Sequence, residues 1–300
     1  MNAVVLGGAG FIGSHLVDRL LASGHAVDVV DDLSTGSLAN LGEARQAGGE
    51  LKIHTLDVSS ADLDSLIAMR RPDVAYHLAL LPRADRSAPA QGRAFGAALG
   101  LLEAARRHGV AKIVVALPAG ALYGYPPANR LPVKEGPLQP RGVRGVVARA
   151  IVDLLATYRE RSDIEFTALA MSSVYGPRQP ASGGVVAAFH AAASAGAAPR
   201  FEGDGRQTRD FLFVDDAVDA LVRAGERGSG LVINIGTGEQ TSLRDLWALV
   251  SRGTGSAPEI VPARPDELVR FAVSPVRARI HLAWAPWTPL SEGVARLASG

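Results

Sequence analysis

A glycine-rich turn near the start of the chain reads Gly7-Gly8-Ala9-Gly10-Phe11-Ile12-Gly13, directly after the apolar run 3–6. Three of its glycines have the spacing G-x-x-G-x-x-G between a predicted strand and a predicted helix. Gly7 permits a tight turn, Gly10 lets the backbone approach a pyrophosphate, and Gly13 lets the helix pack on the strand. Because a helix N-terminus also offers N–H groups and partial positive charge, the pattern predicts a dinucleotide site.

An acidic residue follows where such a site requires one. Asp31 ends the second predicted strand, and its carboxylate can bind the adenosine ribose hydroxyls and repel a 2′-phosphate, which favours NAD over NADP. The alternative is that the glycines only shape a strand-to-helix turn. Asp57, after the third predicted strand, could either cap the following helix or approach the adenine.

Short apolar runs alternate with helical patterns over the first half of the chain. We predict strands at residues 3–7, 26–31, 51–57, 73–79, 111–116 and 165–171, and helices at 11–23, 63–69, 91–108 and 143–161. After residue 174 glycine and proline cluster, and we predict a strand at 231–235 and a helix at 243–251.

This order predicts an α/β fold, a Rossmann-type doubly wound parallel sheet with a smaller C-terminal α/β substrate domain. The NAD-binding domain is expected over residues 1–173, with a return segment near 211–238. The substrate domain is expected over residues 174–210 and 239–300.

The composition excludes several classes of protein. The chain has 31 basic and 30 acidic residues, a formal net charge of +1, so we expect neither nucleic acid nor a membrane surface as a partner. It has no cysteine, which excludes disulfides and thiolate metal sites, and we predict no metal site. No apolar run is long enough for a membrane span or a signal segment, so we expect a cytoplasmic protein.

Several blocks in one order resemble the extended short-chain dehydrogenase/reductase family, and within it the nucleotide-sugar 4-epimerases and dehydratases of the UDP-glucose 4-epimerase type. The blocks are residues 7–15, Asp31-Asp32-Leu33-Ser34-Thr35-Gly36, Asp57-Val58, His77-Leu78-Ala79, Leu122-Tyr123-Gly124, Val174-Tyr175-Gly176-Pro177-Arg178-Gln179, residues 203–216 and Asn234-Ile235-Gly236-Thr237-Gly238.

The resemblance implies that NAD binds at the matched N-terminal positions and that a nucleotide-sugar pocket lies between the two lobes. The cofactor positions are Gly7, Gly10, Phe11, Ile12, Gly13, Asp31, Asp32, Ser34, Thr35, Gly36, Asp57, Val58, Leu78 and Ala79.

On the substrate side, the resemblance implies that Arg209 and Arg264 hold the nucleotide diphosphate, with Tyr123 and Ser173 also in contact with substrate. Guanidinium groups suit this task because they bind phosphate oxygens bidentately and stay charged. The alternative for Arg209 is a surface ion pair with Asp204 or Asp210, which would be worth little.

The catalytic positions of the family are altered. The resemblance implies a Ser or Thr and a Tyr-x-x-x-Lys that opens a long helix, but this chain has Ala119, Arg141 and Gly145 there. Arginine cannot serve as the base, because its pKa of above about 12 leaves no neutral population. We therefore expect ordinary C4 redox epimerisation to be absent or weak.

Few residues could replace the missing groups. Arg141, Tyr123 and Tyr125 are the candidates near the ligand side of the sheet, whereas His77 is expected to be a core histidine with satisfied nitrogens.

Three functions are compatible with this pattern. The first is a nucleotide-sugar-binding, epimerase-like or dehydratase-like protein of sugar or natural-product metabolism with a degenerate catalytic site. The alternatives are a non-redox lyase or cyclase that re-uses the pocket with Arg141 stabilising negative charge, and a non-catalytic NAD-responsive regulatory module. The resemblance also implies a homodimer through helices 91–108 and 143–161, although the apolar positions of the second helix could equally belong to the core.

Overall fold

The structure is a computed structural model that describes residues 1–80, 87–252, 256–263 and 268–297. Its strands are β1 (Asn2–Leu6), β2 (Ala26–Asp31), β3 (Leu51–Thr55), β4 (Val74–His77), β5 (Lys112–Pro118), β6 (Glu165–Met171), β7 (Ser173–Tyr175), β8 (Arg200–Glu202), β9 (Thr208–Arg209), β10 (Phe211–Phe213), β11 (Leu231–Ile235), β12 (Thr241–Ser242) and β13 (Glu259–Val261). Its α-helices are α1 (Phe11–Ala22), α2 (Gly42–Gln46), α3 (Asp62–Arg70), α4 (Ala88–His108), α5 (Ala119–Tyr123), α6 (Gly142–Ser162), α7 (Val185–Ser194), α8 (Val214–Glu226), α9 (Leu243–Val250), α10 (Val276–Leu282) and α11 (Leu290–Leu297).

Seven strands of the described chain form one sheet in the order β11-β6-β5-β4-β1-β2-β3, and every pair in it is parallel. Most of these strands are buried apolar runs, as expected when helices cover both faces of a sheet. The strand order reverses between β1 and β4, and in open α/β sheets the crevice at such a point binds the ligand. The predicted α/β fold class is confirmed.

Helices cover both faces of this sheet. On one face α1 packs against α8 around a core that contains Leu16, Leu20 and Leu221. On the other face α3, α4 and α6 pack together around a core that contains Leu101 and Ile151. The second face also carries α5, so the ends of α5 and α6 meet at the carboxyl edge of the sheet.

The predicted boundaries differ from the observed ones by a few residues, except for β2, β6 and β11, which match. The strand predicted to reach residue 79 ends at His77, because the N–H groups of Leu78 and Ala79 both donate to the oxygen of Leu6 as the chain turns. The fourth helix begins at Ala88 rather than residue 91, because the Ser87 side chain caps it.

Three two-strand pairs lie in the chain after residue 172. They join β7 with β10 and β8 with β13 in parallel, and β9 with β12 antiparallel. Among the helices of the described ranges, none has the length and apolar character needed to cross a bilayer.

Candidate functional site

The glycine-rich turn has the geometry of a phosphate-binding turn. Gly7 has φ +84°, and a Cβ there would lie 2.8 Å from the nitrogen of Ala79. A Cβ at Gly13 would lie 2.0 Å from the oxygen of Gly7, so the turn requires glycine at both positions. Gly10 is the N-cap of α1, and the first turn of this helix has neither a side-chain cap nor an acidic residue. Its N–H groups therefore suit a pyrophosphate.

Asp31 holds this turn in place. Its Oδ2 accepts the N–H of Ala9 at 2.9 Å, and its Oδ1 accepts the N–H of Leu33 at 2.9 Å. Burial raises the pKa of the Asp31 carboxyl. Asn40 completes the support, because its Nδ2 donates to the oxygen of Ala9 at 2.9 Å. A carboxylate has lone pairs left after two such bonds, so the site fits the ribose of NAD as well.

Most of the remaining predicted cofactor positions lie beside the glycine-rich turn or just after β2. Asp32 accepts the N–H of Ser34 at 2.9 Å, and a Cβ at Gly36 would lie 2.9 Å from the oxygen of Ala9. Thr35 lies between Ser34 and Gly36. Leu78 and Ala79 border the turn at Gly7, and Phe11 and Ile12 form the start of α1.

Asp57 does not cap a helix, so that alternative is wrong. Its Oδ1 accepts the N–H and the hydroxyl of Ser59 at 2.8 and 2.7 Å, and these bonds lower the pKa of the Asp57 carboxyl. The next helix, α3, begins at Asp62 without a side-chain cap. Asp57 and the adjacent Val58 therefore belong to a turn after β3.

The three positions predicted to be altered lie together where α6 meets α5. Ala119 is fully buried at the start of α5. Arg141 is the N-cap of α6, and its N–H donates to the oxygen of Ala121 at 2.9 Å. Gly145 is buried, and a Cβ there would lie 2.4 Å from the same oxygen. The backbone of α5 thus occupies the space into which a side chain at position 145 would project.

The Arg141 side chain stacks on an aromatic ring. Its Cζ lies 3.3 Å from the centroid of the Tyr125 ring, a cation–π contact. Tyr125 is 53% exposed and lines a pocket of about 310 Å³ with Pro126, Ala128, Val269 and Arg270. Because arginine is always charged, this region suits an anionic group.

Tyr123 lies in a buried polar network. Its hydroxyl donates to Oδ1 of Asn234 at 2.7 Å, while Nδ2 of Asn234 donates to the oxygen of Val133 at 2.9 Å. The N–H of Asn234 donates to Glu135 at 2.8 Å. Burial raises the pKa of the Tyr123 phenol. Such a phenol is a poor general base, because its ionised form is disfavoured at neutral pH.

Ser173 begins β7, which pairs with β10, and Arg209 ends β9, two residues before β10 begins. The N–H of Ser173 donates to the oxygen of Asp210 at 2.9 Å, and Nη1 of Arg209 donates to the oxygen of Thr208 at 2.7 Å. Asp204, considered as a partner of Arg209, pairs with Arg206 at 3.4 Å. Arg264 lies outside the described residues.

The other considered partner of Arg209, Asp210, has a role that sequence analysis missed. Its buried carboxylate accepts the N–H groups of Thr237, Gly238 and Val273 at 2.8, 3.1 and 3.1 Å. Its position just after Arg209 in a block shared with the family was the only sequence signal. Asp210 therefore ties the segment that carries Arg209 to two other loops.

His77 is a core residue, as expected, but the expectation that its nitrogens are satisfied is wrong. The residue is 1% exposed, and neither ring nitrogen has a hydrogen-bond partner in the described part of the chain. Burial lowers the pKa of the His77 imidazole to about 3. In the same described ranges, no group of three or more histidine, aspartate or glutamate residues is placed to hold a metal ion.

The chain belongs to the NAD dependent epimerase/dehydratase family, whose sequence profile matches residues 3–236. The UDP-glucose 4-epimerase of Mycolicibacterium smegmatis is 41% identical over 99% of this chain and 97% of its own length. The predicted resemblance is therefore confirmed.

Solved structures agree with this assignment. The UDP-glucose 4-epimerase of Thermotoga maritima, solved with UDP-glucose, superposes with a TM-score of 0.91 at 31% identity, covering 99% of this chain and 97% of its own. The UDP-glucose 4-epimerase of Thermus thermophilus, solved with NAD, superposes with a TM-score of 0.88 at 31% identity and the same coverage. The family is NAD-dependent, and the predicted cofactor, NAD, is confirmed at this level.

Proposed function

We propose that this protein binds NAD and a nucleotide sugar but catalyses ordinary C4 epimerisation weakly or not at all. The contact between Gly145 and Ala121 carries this proposal. The resemblance implies that the family's lysine falls at position 145, where this chain has glycine, and a Cβ there would lie 2.4 Å from a carbonyl oxygen. This close packing leaves no room for a side chain at position 145, which supports the proposed loss of the catalytic lysine.

NAD binding is supported by the glycine turn, the uncapped start of α1 and the carboxylate of Asp31. When bound in such a site, NAD supplies a nicotinamide that accepts and returns a hydride. The residues of this chain would hold the pyrophosphate at Gly10 and the ribose at Asp31. These two contacts would hold the cofactor at the carboxyl ends of β1 and β2.

Nucleotide-sugar binding is supported by Ser173 at the start of β7, by Arg209 two residues before β10, the strand that pairs with β7, and by the likeness to a relative that was solved with UDP-glucose. We propose that Arg209 and Arg264 bind the diphosphate. Ser173 and Tyr123 would lie on the sugar side of the pocket, with the Tyr123 hydroxyl fixed by Asn234.

Proton transfer is the step that this chain lacks. Removal of a side chain that acts as general acid and base typically costs about 10²–10⁴-fold in rate. Arg141 cannot accept a proton, and the Tyr123 hydroxyl donates to Asn234. We therefore expect turnover at C4 to be lower than that of a complete family member by at least that range.

The test is calorimetric titration of the purified protein with NAD and then with UDP-glucose, with each mixture also assayed for UDP-galactose. The Mycolicibacterium smegmatis relative serves as the positive control for the assay. Binding of both ligands with little or no C4 inversion is expected, and Arg209→Ala should abolish UDP-glucose binding while NAD still binds. Rapid inversion by the parent protein, or no binding of either ligand, would contradict the proposal.

The stack of Arg141 on Tyr125 favours a second candidate, a non-redox lyase or cyclase acting on an anionic substrate. The guanidinium lies beside a pocket that also contains Arg270, and fixed positive charge stabilises a developing negative charge. This candidate predicts turnover that does not need NAD and that is lost in Arg141→Ala. Unchanged turnover in that variant would rule it out.

A homodimer through α4 and α6 belongs to this proposal. Ile151 and Leu155 of α6 are core residues, whereas Val143 and Val146 are 61% and 55% exposed. The apolar positions of this helix therefore divide between the core and a free surface beside α4. Light scattering should give the mass of a dimer, and Val146→Glu should shift it to a monomer. A monomeric parent protein would contradict this part of the proposal.

A further inference from the structure

Ser172 has a hydroxyl with no assigned role. Its Oγ is buried, and it has no hydrogen-bond partner in the described ranges. A buried polar atom without a partner is uncommon in folded proteins and lowers stability unless something else compensates. Such an atom at the ligand edge of a sheet is a candidate for a ligand contact.

The register of the sheet places Ser172 next to an altered catalytic position. Pro118 of β5 pairs with Met171 of β6, so Ala119 and Ser172 come directly after the last paired residues of neighbouring strands. The N–H of Ser172 also donates to the oxygen of Ile235 at 2.8 Å, which continues the ladder toward β11. Ser172 therefore stands one strand away from the place where the family has its serine or threonine.

Both side chains belong to the same face of the sheet. Side chains alternate between the faces of a strand, and Ala168 and Ala170 of β6 lie in the core beneath α4 and α6, as do Leu117 and Ala119. Continuing the alternation puts Ser172 on that face. This is also the face toward which α6 brings Arg141.

The position of Ser172 is fixed from the β11 side by Gly236. A Cβ at Gly236 would lie 3.1 Å from the Cβ of Ser172 and 2.5 Å from Oδ2 of Asp210. Asp210 is itself held by three backbone N–H groups. The Ser172 side chain is thus supported by a rigid segment, as a residue that positions a ligand should be.

We propose that the Ser172 hydroxyl hydrogen-bonds a hydroxyl of the hexose in the bound nucleotide sugar, and so takes over the binding role of the hydroxyl that is missing at Ala119. A serine hydroxyl both donates and accepts, and therefore suits a sugar hydroxyl. No proton is transferred in this contact, so it strengthens binding without restoring acid–base chemistry. The inference rests on the proposed function, because it requires a nucleotide sugar in the pocket.

The test compares UDP-glucose with UDP, which has no hexose, by calorimetry on the NAD-loaded protein. The variants are Ser172→Ala, the exchange variant with Ser172→Ala and Ala119→Ser, and, as a control, Ser251→Ala at the C-cap of α9, a helix that packs against α7 and α11. Ser172→Ala should weaken UDP-glucose binding about fivefold to tenfold, the usual net effect of one hydrogen bond, and leave UDP binding unchanged. The exchange variant should recover most of the lost affinity, and Ser251→Ala should bind both ligands like the parent.

The unfolding temperature of the ligand-free protein distinguishes ligand contact from a structural role. Ser172→Ala should leave it unchanged or raise it, because the hydroxyl makes no bond to the described protein. A lower unfolding temperature with equal losses for UDP and UDP-glucose would assign Ser172 a structural role and overturn the inference. Unchanged UDP-glucose binding in Ser172→Ala, or an exchange variant that does not regain affinity, would overturn the inference about Ser172. Binding of UDP in the same experiments would still support the proposed function. A parent protein that binds neither UDP nor UDP-glucose would contradict both the inference and the proposed function.

Discussion

The backbone of Gly145 lies against the carbonyl oxygen of Ala121, and a Cβ on Gly145 would come within 2.4 Å of that oxygen. The same oxygen accepts the N–H of Arg141 at 2.9 Å. One carbonyl of α5 thus meets two of the three positions that we predict to be altered. A lysine at position 145 would therefore require α5 and α6 to separate, and substitution of side chains alone should not be enough to introduce one.

Gly145→Ala should lower the free energy of unfolding by about 1–3 kcal/mol, the usual cost of forcing extra atoms into a packed site. Chemical denaturation monitored by circular dichroism measures it. Gly42→Ala is the matched control, because Gly42 is helical and a Cβ there would meet nothing within 4 Å. That variant should be neutral or more stable by up to about 1 kcal/mol. Equal stability of the two variants would contradict the close contact at Gly145.

Asp31→Ala should weaken NAD binding more than tenfold and reduce the preference for NAD over NADP, because the carboxylate holds the turn and is proposed to bind the ribose. Loss of an acceptor for two N–H groups should also lower the free energy of unfolding by about 1–3 kcal/mol. Fluorescence titration with both cofactors and a denaturant series measure the two effects. Asp73→Ala removes a carboxylate that accepts the N–H of Asn2 at 2.7 Å and should leave cofactor binding unchanged. An Asp31→Ala protein with parental NAD affinity would show that Asp31 has only the structural role.

Arg141→Ala should weaken binding of UDP-glucuronate about tenfold and change binding of UDP-glucose little, because only the former has a carboxylate for the guanidinium. Competition calorimetry on the NAD-loaded protein measures the ratio. Arg141→Lys keeps the charge but loses the planar stack on Tyr125. Its affinity for UDP-glucuronate should therefore lie between that of the parent protein and that of Arg141→Ala. An equal loss of affinity for both nucleotide sugars would mean that Arg141 maintains the shape of the pocket and does not recognise the anionic group.

His77 should make the protein less stable in acid. Burial lowers the pKa of the folded-state imidazole to about 3, well below the value of about 6.5 in an unfolded chain. The unfolded state therefore binds more protons between these values, and the free energy of unfolding should fall as pH falls from about 6.5 to about 3.

The variant His77→Leu should flatten this pH dependence and be at least as stable as the parent at pH 7, since it removes two unsatisfied ring nitrogens. His281→Leu, at an exposed position, should keep the parental pH profile. Urea denaturation from pH 4 to 7 measures both. A parental slope in His77→Leu would mean that another group causes the acid sensitivity.

The fold and the cofactor turn were predictable from sequence because their determinants are local. β2, β6 and β11 are apolar runs bounded by turn residues, and the task of Gly7 follows from its place between a strand and a helix. Asp31 was recognisable because it ends β2. Its hydrogen bond to Ala9 was not, because that bond depends on how the turn folds back over the strand end.

The surroundings of Tyr123, Arg141 and Ser172 were less predictable, because their contacts join distant parts of the chain. The Tyr123–Asn234 hydrogen bond spans 111 residues, and the stack of Arg141 on Tyr125 depends on the path of the loop before α6. Ser172 has no motif of its own. Only the register of β5 with β6 shows that it neighbours Ala119.

Asp210 has a consequence for motion. Its carboxylate accepts N–H groups from the segment after β11 and from Val273, so these loops and the segment carrying Arg209 are joined at one buried point. A hinge motion between these loops would have to break several hydrogen bonds to the buried Asp210 carboxylate at once. In hydrogen–deuterium exchange the amides of Thr237, Gly238 and Val273 should therefore be among the slowest loop amides, and opening of the pocket must occur elsewhere in the chain.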